Sequence, residues 1–118
     1  MKNLPTLEEL LKNGVHFGHS TSKRYSKAAS YIHTQRNGVH IIDLQKTVEG
    51  LEKALAYVEQ VVKAGGVILF IGSKKQAKPI VKEAADNCGM PYIIGRWLGG
   101  TFTNFANIVK LTRKLDKM

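Results

Sequence analysis

The sequence predicts an α/β fold, a partial parallel sheet with flanking helices, and three observations carry that expectation. Leu44, Val48, Leu51, Leu55, Val58 and Val62 recur at alternating spacings of four and three, which builds one apolar stripe on a helix. Val67 to Ile71 is continuously apolar and rich in β-formers, the pattern of a strand covered on both faces. Around these two segments the chain reads β-α-β-α-β-α, the order of right-handed crossovers in a parallel sheet.

The elements follow in order from local chemistry. Thr6-x-x-Glu9 ahead of Leu7, Leu10 and Leu11 is a capping box, and Asn13-Gly14 is a stop signal, so a short helix is expected over 7–13. From Val15 to Ser30 no period is sustained, and three cations mix with two aromatics, which predicts an exposed loop with a basic face. Tyr31 to Arg36 and Val39 to Ile42 read as extended runs around an Asn37-Gly38 turn, a hairpin-like entry to the sheet. Asp43 is placed to cap the long helix, and Gly65-Gly66 follows its end. Val67 to Ile71 should mark the sheet centre. Ser73-x-x-Gln76 offers a second capping box for a helix with Ile80, Val81, Ala84 and Ala85 inward and Asn87-Cys88-Gly89 at its end. Pro79 should kink that helix or delay its start, because it lacks a backbone donor for the Lys75 carbonyl. Pro91 to Ile94 is a third short strand and Gly95 to Thr103 a glycine-bearing loop. The last helix is expected over 104–118, with Phe105, Ile108, Leu111, Leu115 and Met118 on one side.

The chain has 118 residues, which fits one small domain or a piece of a larger one and excludes a two-domain enzyme. With 43% hydrophobic and 23% charged residues it is expected to fold. Its formal charge of +9 favours polyanionic partners, nucleic acid or an anionic membrane surface. The charge is uneven. Residues 1–40 carry six cations and two acids and residues 67–118 nine cations and three acids, whereas residues 41–66 are slightly acidic. The binding face is therefore expected outside the middle segment. Cys88 stands alone, so no internal disulfide forms and a reducing compartment fits. The start has no apolar core of a signal peptide, and the apolar run Val67 to Ile71 is far short of the roughly 20 residues that span a bilayer. A cytosolic chain is expected.

Three motifs invite chemistry. The turn Gly72-Ser73-Lys74-Lys75 after a strand resembles a phosphate loop, since a helix N-terminus offers free N–H groups to anions, but it lacks both G-x-G-x-x-G and the P-loop spacing. Lys74, Lys75, Lys78 and Lys82 fit one helical side that either tracks an RNA backbone or is simply solvated. His16 and His19 lie three apart, with His33, His40 and Cys88 elsewhere, which makes zinc conceivable without a Cys pair or H-E-x-x-H to support it. No Ser-His-Asp or Cys-His arrangement is present, and no cofactor is expected. Arg96-Trp97-Leu98-Gly99-Gly100-Thr101-Phe102-Thr103-Asn104 reads as a packed corner or a polyanion contact, with Trp97 as an anchor and Arg96 as the contact.

These stretches resemble a known family. Gly14-Val15-His16-Phe17-Gly18-His19, Arg36 through Thr47, Gly72 through Ala77 and Arg96 through Asn104 look, in this order, like the bacterial form of small-subunit ribosomal protein two (protein S-two). The resemblance implies a non-enzymatic rRNA-binding structural protein with a flavodoxin-like or Rossmann-like sheet, in the cytoplasm as part of the bacterial ribosome. It implies small-subunit rRNA and neighbouring small-subunit proteins as partners, including the mRNA-binding ribosomal protein one where present, and no membrane or small-molecule substrate. Family members run on through a coiled-coil hairpin and further strands and helices. On that comparison, residues 1–118 are the N-terminal part of a single α/β rRNA-binding domain, residues 104–118 begin the helical insertion, and the chain looks truncated. A half sheet of this kind is expected to leave apolar surface unpaired.

On this reading Lys23, Arg24, Lys27, Arg36, Lys74, Lys75, Arg96, Lys110, Arg113 and Lys114 approach phosphates, while Trp97, Gly99, Gly100, Thr101 and Asn104 form the structural corner. The rival readings are a small nucleotide- or phosphate-binding α/β enzyme resting on Gly72-Ser73, a zinc-dependent interaction module on His16 and His19, and a free RNA-binding regulator.

Overall fold

A computed structural model describes residues 3–117, and the chain divides between Ala64 and Gly65 into two compact units. Lys2, counted in the basic first arm, and Met118, placed on the apolar side of the last helix, lie outside the described residues.

In the first unit, α1 (Leu7–Lys12) starts with the expected capping box: Thr6 Oγ1 accepts from the Glu9 amide at 3.2 Å, and Glu9 Oε2 accepts from the Thr6 amide at 2.8 Å. Part of the segment expected to be a loop is strand β1 (Phe17–Ser20), followed by a 3₁₀ helix (Ser26–Tyr31). The four residues of β1 show no alternation of their own, so pairing makes the strand. The Ile42 amide donates to the His16 carbonyl at 2.8 Å and the Thr21 amide to the Gly38 carbonyl at 2.9 Å. Gly18 permits that approach, since a Cβ there would sit 3.0 Å from the His40 carbonyl oxygen.

Strands β2 (Ile32–Arg36) and β3 (Val39–Ile42) form the expected hairpin, turning at Asn37 and Gly38 with φ of 51° and 74°, the left-handed pair that a two-residue turn requires. The sheet order is β1-β3-β2, antiparallel throughout. This corrects the expectation that the hairpin feeds a parallel sheet. Helix α2 (Leu44–Lys63) follows, its Asp43 carboxylate accepting from the Gln45 amide at 3.1 Å. It packs on α1. Leu44, Val48 and Leu51 are half-buried, whereas Leu55, Val58 and Val62 on the same stripe are exposed.

The capping role of Asp43 is testable. Asp43→Ala is expected to cost about 1 kcal/mol by removing the acceptor for an orphan helix donor, with Asp43→Asn recovering most of it, read from denaturant midpoints.

The second unit holds β4 (Phe70–Ile71), α3 (Lys78–Cys88), β5 (Tyr92–Ile93) and α4 (Phe105–Leu115). Strands β4 and β5 are parallel, with Phe70 opposite Tyr92 and Ile71 opposite Ile93, and α3 contacts both. The described residues are thus mixed α/β with two small sheets. Three expectations need correction. The strand is shorter than Val67 to Ile71 and is not covered on both faces: Val67 is 70% and Ile71 49% exposed, with α3 packed against β4. Ser73 and Gln76 do not cap α3; its N-cap is Ala77 with no side-chain bond, and Pro79 in the first turn delays the start instead of kinking the helix. Of the four residues expected inward on α3, Ala85 is fully buried and Val81 half-buried, but Ala84 and Ile80 are exposed. The helix ends as expected at Gly89, left-handed with φ of 64°.

One glycine organises this unit. The Gly72 amide donates to the Ile93 carbonyl at 2.9 Å, extending the parallel ladder past Ile71. Gly72 is buried, and a Cβ on it would lie 2.7 Å from Val81 Cγ2 and 2.9 Å from Val81 Cβ. Its missing side chain lets α3 sit down on β4.

Candidate nucleic-acid interface

From Leu10 to Ile42 the sequence holds Lys12, Lys23, Arg24, Lys27 and Arg36 and no acid. The first unit gathers three of these cations on the connection between β1 and β2. Lys23 and Arg24 lie in the turn that leaves β1, where the Lys23 amide donates to the Ser20 carbonyl at 2.9 Å, and Lys27 follows on the 3₁₀ helix. All three are exposed. Lys23 and Arg24 line one cavity of about 220 Å³, and Arg24 also borders a more polar hollow with Thr34, Gln35 and His40. Arg36 stands apart at the end of β2, opposite Val39 and beside the Asn37-Gly38 turn.

In the second unit, parallel pairing brings the carboxyl ends of β4 and β5 to one edge, where open α/β sheets collect ligands. Lys74 and Lys75 occupy the exposed turn after β4, and Arg96 is exposed in the loop after β5. The Lys74 carbonyl accepts from the Ala77 and Lys78 amides, so this turn closes on itself before α3 begins. The Gly72 amide is committed to the Ile93 carbonyl and its Cα to the contact with Val81, so this glycine does not offer a free N–H to a phosphate. Lys110, Arg113 and Lys114 are exposed on α4 at the three-four spacing of one helix side.

The glycine corner forms as a turn. Thr101 Oγ1 donates to the Leu98 carbonyl at 2.5 Å, and the Asn104 amide donates to the Gly100 carbonyl at 2.7 Å. Trp97 is half-buried with its ring 5.2 Å from that of Phe102, an anchoring contact within the loop. Gly100 has φ of 82°, and a Cβ there would lie 3.0 Å from Asn104 Cβ, so glycine is required. Gly99, expected to share that role, has open space around its Cβ position and an ordinary φ. Asn104 precedes α4 without capping it; its Oδ1 accepts instead from Asn107 Nδ2 at 2.7 Å.

His16 is half-buried against Phe17, ring centroids 4.1 Å apart, and its buried Nδ1 has no hydrogen-bond partner among the described residues. His19 is exposed. Among the described residues no three His, Cys, Asp or Glu side chains come together to hold a metal ion. The Cys88 thiol donates to the Ala84 carbonyl at 3.2 Å, within its own helix.

The candidate contacts read from sequence omit Tyr25 and Tyr31. Both line the cavity beside Lys23 and Arg24, and they are 63% and 58% exposed. Their signal lies in the interleaving of tyrosines with cations through an acid-free run.

The family model described as Ribosomal protein S2 matches residues 10–118. Two curated relatives, each called small ribosomal subunit protein uS2, come from two strains of Thermus thermophilus. Each is 50% identical over 113 residues, covering 96% of this chain and 44% of the relative. The chain therefore spans less than half the length of these relatives.

Proposed function

Because the chain belongs to the ribosomal protein S2 family, we propose that it forms the N-terminal part of a structural rRNA-binding component of the bacterial small ribosomal subunit, working in the cytoplasm in translation. The observation that carries this reading is 50% identity across 96% of the chain to relatives named as small-subunit proteins. The acid-free basic run and the cationic edge of the β4–β5 pair support it from physics. Small-subunit rRNA and neighbouring ribosomal proteins, with ribosomal protein one among them, are the partners proposed. No catalytic step, cofactor or small-molecule substrate is assigned.

In this reading Lys23, Arg24, Lys27 and Arg36 from the first unit and Lys74, Lys75, Arg96, Lys110, Arg113 and Lys114 from the second meet phosphates. Trp97, Gly100, Thr101 and Asn104 hold the loop that carries Arg96. The β4–β5 pair begins the flavodoxin-like or Rossmann-like parallel sheet of one α/β domain, and α4 opens a coiled-coil insertion. The exposed apolar side chains support that completion. Val67, Leu69 and Ile71 around β4, and Phe105, Leu111 and Leu115 on α4, stand ready for further strands and helices.

Gradient sedimentation of the tagged protein in a bacterial lysate tests the reading. Comigration with small subunits, weakening as salt rises, is the expected result. A protein at full encoded length that stays at the top of the gradient overturns it.

A further inference from the structure

We propose that the cavity beside the basic β1–β2 connection receives an unpaired RNA base, with Tyr25 and Tyr31 as its stacking surfaces. The proposal rests on the rRNA-binding reading and adds to it a mode of recognition that phosphate contacts alone do not supply.

The cavity, about 220 Å³, is bordered by Lys23, Arg24, Tyr25, Tyr31, His40 and Ile42. Two large rings left more than half exposed contribute little to the core of this unit. Rings beside an apolar hollow suit the π-face of a base, and an adjacent Arg and Lys suit the phosphates on either side of it. Charge selects this occupant over a peptide of a neighbouring protein, since Lys23 and Arg24 border the cavity, Lys27 follows on the same connection, and no acid lies between Leu10 and Ile42.

The surrounding backbone is held in place before any ligand arrives. The Ala28 amide donates to the Tyr25 carbonyl at 3.0 Å, and the Asp43 amide donates to the Tyr31 carbonyl at 2.9 Å. Lys46 Nζ reaches from α2 to the Ser30 carbonyl, tying the end of the 3₁₀ helix to the long helix. A pocket ordered in advance loses less entropy on binding. Arg24, which also borders the hollow with Thr34 and Gln35, is placed to follow the strand from base to backbone.

The test is filter binding of a small-subunit rRNA transcript across a salt series, with the protein at its full encoded length. The double substitution Tyr25→Leu with Tyr31→Leu keeps apolar bulk and charge but removes the rings. It is expected to weaken binding by roughly tenfold or more, the worth of one stacked base, with the salt slope unchanged. The pair Tyr25→Phe with Tyr31→Phe is expected to bind as the unaltered protein does, because stacking needs the ring and not the hydroxyl, and it separates a loss of stacking from a failure to fold.

If the Leu pair binds within roughly twofold of the unaltered protein while Ala at Lys23, Arg24 and Lys27 weakens binding and flattens the slope, the RNA reading stands and the base pocket is overturned. An unaltered protein with no salt-dependent affinity overturns the RNA reading and the pocket together. A Leu pair that keeps rRNA affinity but loses a neighbouring protein from assembled subunits also overturns the proposal, in favour of a peptide occupant.

Discussion

Replacing Lys23, Arg24 and Lys27 together by Ala is expected to lower affinity for small-subunit rRNA by on the order of a hundredfold at moderate salt. The three cations share one short connection of the first unit and are exposed. Each neutralised phosphate releases condensed counterions, so the slope of log affinity against log salt should fall by roughly 0.7 to 0.9 for each of these cations removed, about two to three in all. The weakening should be similar across RNA sequences, since phosphates carry no sequence information. Lys74→Ala with Lys75→Ala gives an internal comparison from the second unit, with an expected drop of about one and a half to two in slope. An unchanged slope for either set removes those side chains from the contact surface. Filter binding from low to moderate salt distinguishes these results.

Gly72→Ala carries the largest expected effect on stability. A methyl placed 2.7 Å from Val81 Cγ2 and 2.9 Å from Val81 Cβ cannot be relieved by swinging the end of a flexible chain, because Val81 is branched at Cβ and stiff at χ1. Helix α3 must move off β4, which strains the bond from the Gly72 amide to Ile93 and disturbs the fully buried Ala85. Overpacking of this kind costs about 1–3 kcal/mol, a large share of the roughly 5–15 kcal/mol that holds a domain together. Urea midpoints of Gly72→Ala, Val81→Ala and the double substitution test the contact. The second substitution should recover part of the first loss, because the two act through one pair of side chains. A Gly72→Ala protein as stable as the original would falsify the packing role.

Gly72 also shows why a motif in sequence can mislead. Strand, glycine, serine and two lysines have the residue types of a phosphate loop, and nothing in those types reveals that the glycine is spent on Val81. The same limit applies to Gly99 and Gly100, identical in sequence and different in need: only Gly100 has a positive φ and a close neighbour in Asn104. For the proposed interface, candidate cations are legible because charge is carried by residue type. Tyr25 and Tyr31 are not, because a tyrosine in an irregular segment does not declare whether its ring is used inside the fold or left at the surface.

Helices α1 and α2 are written into local chemistry. A cap, a three-four apolar stripe and a glycine after the end are interactions within a few residues, and Thr6, Asp43 and Gly65 supply them whatever lies nearby. The Asn37-Gly38 turn belongs with them, as its two left-handed residues are set by their own sterics. Strand pairing is of another kind. Phe17–Ser20 carries no strand pattern and becomes one because Val39–Ile42 offers its backbone, whereas Val67 to Leu69 carries a strong pattern and stays outside the ladder for want of a partner beside it. A β-strand satisfies its N–H and C=O groups on another segment, so its existence, length and direction depend on which segments the folded chain brings alongside.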